Sequence, residues 1–123
     1  MPRVSVVVTT YNQRAYIAAA IESALGQTFS DREVVVVDDG STDGTDAIVV
    51  SFGDRVRLIR QENQGIAGAR NTGVLNARGE LVAFLDGDDL WEPDKLAFQV
   101  ETAERYPQAG LVAVDGVLFD DDG

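Results

Sequence analysis

The densest group of residues able to do chemistry is Asp86-Gly87-Asp88-Asp89, which places three carboxylates within four residues. Like charges this close repel one another, and a divalent cation is the simplest compensation. Mg²⁺ or Mn²⁺ takes one or two carboxylates and leaves its other positions to water and substrate phosphate. In an extended or turning segment residues i and i+2 face the same ion, and we expect the glycine between them to let a ligand approach the backbone. The spacing therefore predicts an Mg²⁺ or Mn²⁺ site.

The alternative interpretation of this group is an acidic turn, because Asp-Gly pairs are turn formers. For an isolated Asp-Gly-Asp the turn is the favoured interpretation. Here the group ends an apolar run and directly precedes a helical pattern. In open α/β sheets ligands bind outside the carboxyl ends of the strands, so this location favours the metal.

A second acidic pair, Asp38-Asp39, ends another apolar run. A carboxylate only accepts hydrogen bonds, so at a strand end it can bind the N–H edge of a nucleobase. Uracil N3–H and guanine N1–H with its amino group fit such an acceptor, whereas cytosine N3 does not. Tyr11, after the first run, offers a flat face for the same base. The residues that follow the pair, Ser41-Thr42-Asp43, are candidates to cap the next helix.

Arg70 is the remaining candidate for a ligand contact, and its alternative interpretation is an ordinary surface arginine. The chain has neither a G-x-x-x-x-G-K-[ST] loop nor a G-x-G-x-x-G motif, and Lys95 is its single lysine. Bound phosphate would therefore be neutralised mostly by a metal ion, with help from an arginine.

Five apolar runs predict strands, at residues 4–9, 33–38, 55–60, 80–85 and 110–114. Four of them are nearly continuous, which is typical of strands buried on both faces of a parallel sheet. The third run alternates polar and apolar residues, which suits an edge strand. Because polar residues follow the first, second, fourth and fifth runs, a parallel sheet would gather them into one acidic crevice at its carboxyl edge.

Helical patterns lie between the runs, at residues 14–25, 43–52, 65–78 and 93–106. Asn12 is a candidate N-cap for the first helix, Gly79 a candidate left-handed residue after the third, and Pro93 a candidate first residue of the fourth. Alternating strands and helices predict an α/β fold, with a doubly wound, mainly parallel, Rossmann-like sheet flanked by helices. Residues 115–119 resemble a turn and the start of another strand, which is the pattern of the first part of a β-hairpin.

The amino-acid composition limits the kinds of molecule that the chain is expected to bind. The 123 residues predict one domain, and 10 Lys+Arg against 21 Asp+Glu give a net charge of −11, which argues against nucleic-acid and anionic-lipid binding. The chain has neither Cys nor His, so any metal is held by oxygen. No apolar run approaches the roughly 20 residues of a membrane span, and the first residues do not predict a signal peptide. We expect a cytoplasmic protein; attachment to the inner face of a membrane would need a part outside this chain.

In order along the chain, the motifs resemble the amino-terminal, nucleotide-binding part of family 2 glycosyltransferases, which have the GT-A fold. The matching stretches are VSVVVTTYN (4–12), ALGQTF (24–29), VVVDDGSTDGT (35–45), NQG (63–65), ARN (69–71), FLDGDD (84–89) and PDKL (93–96). Single motifs are weak, but together and in this order they are specific and cover essentially all of the chain.

The resemblance implies a nucleotide site in which Thr9, Tyr11 and Asp39 contact the nucleobase and its ribose, with Arg70 near the nucleotide. We count Asp38 and Asp86 with these nucleotide-binding residues. Residues 86–88 are similar to the D-x-D motif of the family, in which Asp88 would bind the metal, with Asp89 beside it. Members transfer a sugar from a nucleotide-diphospho-sugar to an acceptor hydroxyl with inversion at the anomeric carbon. We expect a UDP-sugar first and a GDP-sugar second.

In the family the catalytic base is an aspartate well downstream, in the acceptor-binding half. This chain ends before that half, so the resemblance implies that residues 1–123 are a single donor-binding domain, incomplete at its C-terminus. We therefore assign no catalytic residue. A missing acceptor half would leave apolar sheet surface uncovered, which favours a homo-oligomer.

Three alternatives stay open at this point. A receiver-like regulatory domain also binds Mg²⁺ at strand ends, but its acidic pair belongs on the first strand and it requires a lysine after its last strand. An EF-hand-like calcium loop matches at Asp39, Ser41, Asp43 and Gly44, but its twelfth position is Val50. The third alternative is a catalytically incomplete binding or scaffold fragment.

Overall fold

The computed structural model describes residues 2–105, 111–112 and 118–119. Six strands form one sheet: β1 (Val4–Thr10), β2 (Arg32–Asp38), β3 (Arg57–Arg60), β4 (Leu81–Asp86), β5 (Leu111–Val112) and β6 (Leu118–Phe119). Their spatial order is β3-β2-β1-β4-β5-β6; β6 pairs antiparallel with β5, and the other neighbours are parallel. The helices are α1 (Ile17–Leu25), α2 (Thr45–Val50), α3 (Gly65–Asn76) and α4 (Lys95–Arg105).

The central strands are buried on both faces, as their continuous apolar runs predict. Every residue of β1 is buried, and alternate residues contact different layers. Val6 and Val8 belong to a cluster that includes Ile17 of α1 and Leu96 of α4, whereas Val7 packs in a second cluster with Ala69 of α3. Helices therefore cover both faces of the sheet, which confirms the doubly wound architecture.

Close packing of α3 on β1 depends on glycine. A β-carbon on Gly73 would overlap the side chain of Val7, and one on Gly79 would lie 2.7 Å from the backbone nitrogen of Ser5. The predicted left-handed conformation of Gly79 is wrong, because α3 ends at Asn76 and Gly79 does not adopt a positive φ. Gly79 is instead required by the approach of the α3–β4 connection to β1.

The predicted N-cap of the first helix is also wrong. The structure starts α1 at Ile17, and no described side chain caps it. Asn12 has a positive φ of 50° and belongs to a contact between loops. Its backbone N–H donates to Ser41 Oγ (2.8 Å), and its Oδ1 accepts from the N–H of Thr42 (2.8 Å).

The starts of α2, β3 and α4 differ from the sequence expectation by a few residues. Gly44 precedes α2 with a φ of 90°. Ser41 and Thr42 face Asn12 instead of capping the helix, whereas Asp43 Oδ1 accepts from the N–H of Thr45, the first residue of α2 (3.0 Å). A 3₁₀ turn (Gly53–Arg55) occupies the first part of the predicted third run, so β3 begins at Arg57. The fourth helix begins at Lys95, two residues after Pro93.

Two further expectations are borne out by the sheet. β3 is an edge strand, as the alternating pattern predicts, and β6 forms the second strand of the expected hairpin. The predicted stop at Pro107 and the turn at Asp115-Gly116 lie outside the described residues. In the described part of the chain, none of the helices has the length and apolar character needed to cross a bilayer.

Candidate functional site

A pocket of ≈ 360 Å³ opens at the carboxyl edge of the sheet. β1 lies between β2 and β4 there, so the strand order reverses at β1 and the edge forms the crevice in which open α/β sheets bind ligands. The pocket is bounded by the ends of these three strands and by the first turn of α3. Its lining residues are Thr9, Thr10, Tyr11, Gln13, Asp39, Asn63, Gly65, Ile66, Ala69, Asp86 and Asp88.

The structure brings five of the predicted site residues together here: Thr9, Tyr11, Asp39, Asp86 and Asp88. These residues lie close together because the strands are parallel and in register, so that the last residues of β1 lie beside the last residues of both neighbouring strands. Asp38, Arg70 and Asp89 are not among the lining residues.

Asp39 is buried, and its carboxylate already accepts three hydrogen bonds. Oδ1 accepts from Gln61 Nε2 (2.8 Å) and from the N–H of Gln64 (2.9 Å), and Oδ2 accepts from the N–H of Gly65 (2.9 Å). The last two donors lie at the N-terminus of α3, where a negative charge is favoured by the helix dipole. Asp39 therefore fixes the loop that enters α3 against the pocket.

Asp38 has a different role from its neighbour. Its side chain is fully buried, Oδ1 accepts from the N–H of Ser41 (3.0 Å), and Oδ2 lies 3.3 Å from Arg60 Nε. Arg60 also lies 3.2 Å from Asp46 and donates to the carbonyl of Ser41 (3.1 Å). These contacts hold the loop after β2.

Asp86 is half-exposed and has two long contacts. Its Oδ1 lies 3.5 Å from the Thr9 hydroxyl and 3.4 Å from Arg70 Nη2. The guanidinium of Arg70 stacks 5.5 Å from the ring centre of Phe84. Arg70 therefore contacts both Asp86 and Phe84, and its positive charge partly offsets the negative charge of the Asp86 carboxylate.

Asp88 is exposed, lines the pocket, and makes no side-chain hydrogen bond or ion pair within the described part of the chain. Asp89 is also exposed, and its Oδ1 accepts from the N–H of Leu90 (2.9 Å). Of the two predicted metal ligands, Asp88 is thus the carboxylate that the pocket contains.

Gly87 packs closely against the end of β1. A β-carbon there would meet the Gln13 side chain and lie 2.8 Å from Thr10 Oγ1. The Thr10 hydroxyl and Gln13 Oε1 are hydrogen-bonded at 2.8 Å, and the N–H of Gly87 donates to the carbonyl of Thr9 (2.8 Å). Glycine is needed because the turn packs on the end of β1. That Gly87 also lets a ligand approach the backbone stays a prediction.

A clamp of polar contacts joins the loop after β1 to the loop before α2. Besides the Asn12 contacts, Gln13 N–H donates to Thr45 Oγ1 (3.1 Å) and Arg14 N–H donates to Asp43 Oδ2 (3.2 Å). The Thr45 hydroxyl donates to Asp43 Oδ1 (2.5 Å). Hydrogen bonds from this hydroxyl, and from the backbone of Thr45 and Arg14, hold the pKa of Asp43 below its ordinary value. The clamp fixes the segment that carries Tyr11.

Several lining residues are absent from the predicted site. Gln13 and Asn63 carry polar groups, while Gly65 and Ile66 bring the first turn of α3 to the pocket wall. Residues 63–65 belong to one of the motifs that carry the family resemblance, and this motif is the sequence feature that could indicate them as site residues. Nothing in the local pattern of an exposed isoleucine such as Ile66 marks it as part of a site.

The charged side chains that line the pocket are all acidic. Its described lining includes the carboxylates of Asp39, Asp86 and Asp88 but neither lysine nor arginine. No three acidic side chains among the described residues form a group able to hold a metal ion by themselves. The donor set fits Mg²⁺ or Mn²⁺ bound jointly with a ligand, because these ions use one or two carboxylates and take phosphate oxygens and water for the rest.

Comparison with known proteins identifies the family. The model of "Glycosyl transferase family 2" matches residues 5–121. An uncharacterized glycosyltransferase of Nostoc sp. is 43% identical over 114 residues, which are 89% of this chain and 35% of that protein. The chain thus spans about a third of the length of this curated relative.

Two solved structures are similar in fold and sequence. S. aureus TarS 1-349 in complex with UDP-GlcNAc has a TM-score of 0.73 and 34% identity, over 87% of this chain and 32% of TarS 1-349. The mannosyltransferase PcManGT from Pyrobaculum calidifontis, in complex with GDP-Man and Mn²⁺, has a TM-score of 0.73 and 37% identity, over 83% of this chain and 32% of PcManGT. The receiver-like alternative fails on topology, since that fold has strand order 2-1-3-4-5 and this sheet begins 3-2-1-4-5. The sheet, the family model and these relatives agree that the chain belongs to glycosyl transferase family 2.

Proposed function

We propose that this chain is the donor-binding domain of a glycosyltransferase and binds a nucleotide-diphospho-sugar together with a divalent metal ion. The observation that carries the proposal is that Tyr11, Asp39 and Asp88, from three separate segments, line one pocket at the carboxyl edge of the sheet. The similar structures in complex with UDP-GlcNAc and with GDP-Man and Mn²⁺ support the ligand class.

The nucleobase would occupy the part of the pocket between Tyr11 and Asp39. Tyr11 is 48% exposed, so its ring has a free surface on which a base can stack. Asp39 lies in a rigid position because the loop before α3 holds it, and its carboxylate can still accept a hydrogen bond from a base N–H. Thr9 is buried at the end of β1 and contacts the same pocket.

The diphosphate would lie on the Asp86–Asp88 side. A diphosphate entering a pocket lined by carboxylates is repelled, so a cation must accompany it. Asp88 would hold Mn²⁺ or Mg²⁺, and the Thr9 hydroxyl and Arg70 keep Asp86 in place beside it. Bound there, the metal would neutralise charge on the departing nucleoside diphosphate.

For the whole protein we propose sugar transfer to an acceptor hydroxyl with inversion, as the family resemblance implies. The chain covers about a third of the relatives compared above, and we propose that acceptor binding and the catalytic base belong to a part beyond it. Within this chain, the described residues bind and orient the donor and keep its diphosphate beside Asp88.

A calorimetric panel of UDP, GDP, CDP, ADP and dTDP, each with Mn²⁺ and with EDTA, tests the proposal. We expect one diphosphate to bind, at least about tenfold more tightly with Mn²⁺, as the loss of one charge-assisted contact implies. Asp88→Ala removes this metal dependence. Asp31→Ala is the matched control, because it deletes an exposed carboxylate at the start of β2, at the opposite edge. Absence of binding under all conditions, or metal dependence that survives in Asp88→Ala, contradicts the proposal.

A further inference from the structure

The hydrogen bonds of Asp39 limit what its carboxylate can offer to a base. A carboxylate has about four acceptor positions, two on each oxygen. Oδ1 uses both of its positions, for the side chain of Gln61 and for the N–H of Gln64. Oδ2 uses one, for the N–H of Gly65. A single acceptor position, on Oδ2, is left for a ligand in the pocket.

Nucleobases differ in how many donors they present along the edge that a carboxylate can bind. Uracil presents one N–H, at N3, between two carbonyl groups. Guanine presents two donors side by side, N1–H and the 2-amino group, and binds a carboxylate through both of its oxygens. With Oδ1 saturated, one of the guanine donors would be buried without a partner, which costs binding free energy.

We infer that Gln61 is a specificity-determining residue that, by occupying Asp39 Oδ1, makes this site select a base with one edge N–H, the uracil type, over guanine. The inference rests on the proposed function and extends it to the base of the donor. Gln61 does not line the pocket and acts through Asp39, so it is a positioning residue.

Gln61 is itself held in the orientation that this role requires. The Thr72 hydroxyl, on α3, donates to Gln61 Oε1 (2.6 Å), which turns Gln61 Nε2 toward Asp39. The backbone N–H of Gln61 donates to the carbonyl of Asp38 (3.1 Å). Of the three donors to Asp39, Gln61 alone uses its side chain, so it is the one that a substitution can remove without changing the backbone.

The test compares the affinities of UDP and GDP, with Mn²⁺, in the wild type and in three variants of the full chain. Gln61→Ala frees one position on Oδ1. Thr72→Val keeps the size of the side chain but removes the hydroxyl that orients Gln61. Gln64→Ala is the matched control, because it truncates an exposed amide in the same loop and leaves its backbone N–H on Asp39. Circular dichroism and thermal melting verify that each variant is folded.

We expect the wild type to bind UDP more tightly than GDP, and the UDP:GDP affinity ratio to fall about tenfold in Gln61→Ala, the equivalent of one charge-assisted hydrogen bond. Thr72→Val lowers the ratio in the same direction but less, and Gln64→Ala leaves it unchanged. A ratio that stays within about twofold of the wild type in both Gln61→Ala and Thr72→Val, or a wild type that prefers GDP, overturns the inference while the donor site stands. If neither diphosphate binds to the wild type, the proposed function fails, and the inference fails with it.

Discussion

Gly87 separates two aspartates of the pocket, and the packing beneath it explains why a side chain is not tolerated there. Its backbone lies against the hydrogen-bonded side chains of Thr10 and Gln13, and its N–H is bonded to the end of β1. The positions of Asp86 and Asp88 therefore depend on how closely this turn approaches β1. Asp-Gly-Asp could be recognised in the sequence, but the contact with Gln13 could not, because the two segments are far apart in the chain.

We predict that Gly87→Ala lowers the free energy of unfolding by about 1–3 kcal/mol, the usual range for overpacking. It also weakens metal-dependent diphosphate binding, because the added β-carbon pushes the turn away from Thr10. Gly79→Ala is the control, since it causes a comparable overlap at the opposite edge of the sheet. Urea unfolding and calorimetry should show both variants destabilised and only Gly87→Ala impaired in binding; equal binding by the two would contradict the assignment.

The low pKa of Asp43 gives a pH-dependent prediction. Donors from Thr45 and Arg14 favour the charged carboxylate in the folded state, so its folded pKa lies below the ordinary value of 3.8. The stabilisation is therefore complete above that value and is lost as the pH falls through the folded pKa. In thermal melts, the melting temperature of the wild type should exceed that of Asp43→Asn by a constant margin from pH 7 to about pH 5. At about pH 3 the margin should be smaller. A margin that grows on acidification would contradict this.

At the scale of elements, sequence patterns predict the strands far better than the helix starts. Runs of valine predict β1 and β2 because burial on both faces leaves no alternation. α1 and α2 begin later than predicted. Ser41 Oγ accepts from the N–H of Asn12, 29 residues away in sequence, and Asn12 Oδ1 accepts from the N–H of Thr42, so neither side chain caps its own helix. The local pattern could not reveal contacts that form only when the two loops meet at the edge of the sheet.

The start of α4 is fixed in a similar way, by a residue that follows α1. Gln27 is buried; its Nε2 donates to the carbonyls of Ser23 (2.9 Å) and Glu92 (2.8 Å), and its Oε1 accepts from the N–H of Leu96 (2.8 Å). One side chain thus ties α1 to the segment that follows the aspartates of the pocket.

We predict that Gln27→Ala lowers the free energy of unfolding by about 1–3 kcal/mol, since it leaves the N–H of buried Leu96 without a partner. Gln64→Ala, at an exposed side chain, should change it by less than about 0.5 kcal/mol. Urea unfolding measures both variants. If Gln27→Ala is as stable as Gln64→Ala, the hydrogen bonds of the Gln27 side chain contribute little to the free energy of unfolding, which contradicts the prediction.

For the molecule as a whole, the sequence predicts where the site lies. It does not predict which of the site residues line the pocket and which hold the neighbouring loops. Parallel strands require that Tyr11, Asp39 and Asp88 meet at one edge, and the structure confirms that they do. That Asp38 holds a loop while its neighbour Asp39 lines the pocket depends on which way each side chain points, and this is decided by Arg60 and by the loop before α3. An acidic pair at a strand end predicts a site without telling its two members apart.

We propose above that a nucleoside diphosphate and a divalent ion bind at this carboxyl edge. The most direct test of this proposal is a titration of ¹⁵N-labelled chain with UDP and Mg²⁺, followed by amide chemical shifts. We expect concerted shifts at Tyr11, Asp39, Gly65 and Asp88, with the amide of Gly79 at the opposite edge unchanged. Shifts that spare these four amides, or that centre on the amino edge of the sheet, would contradict it.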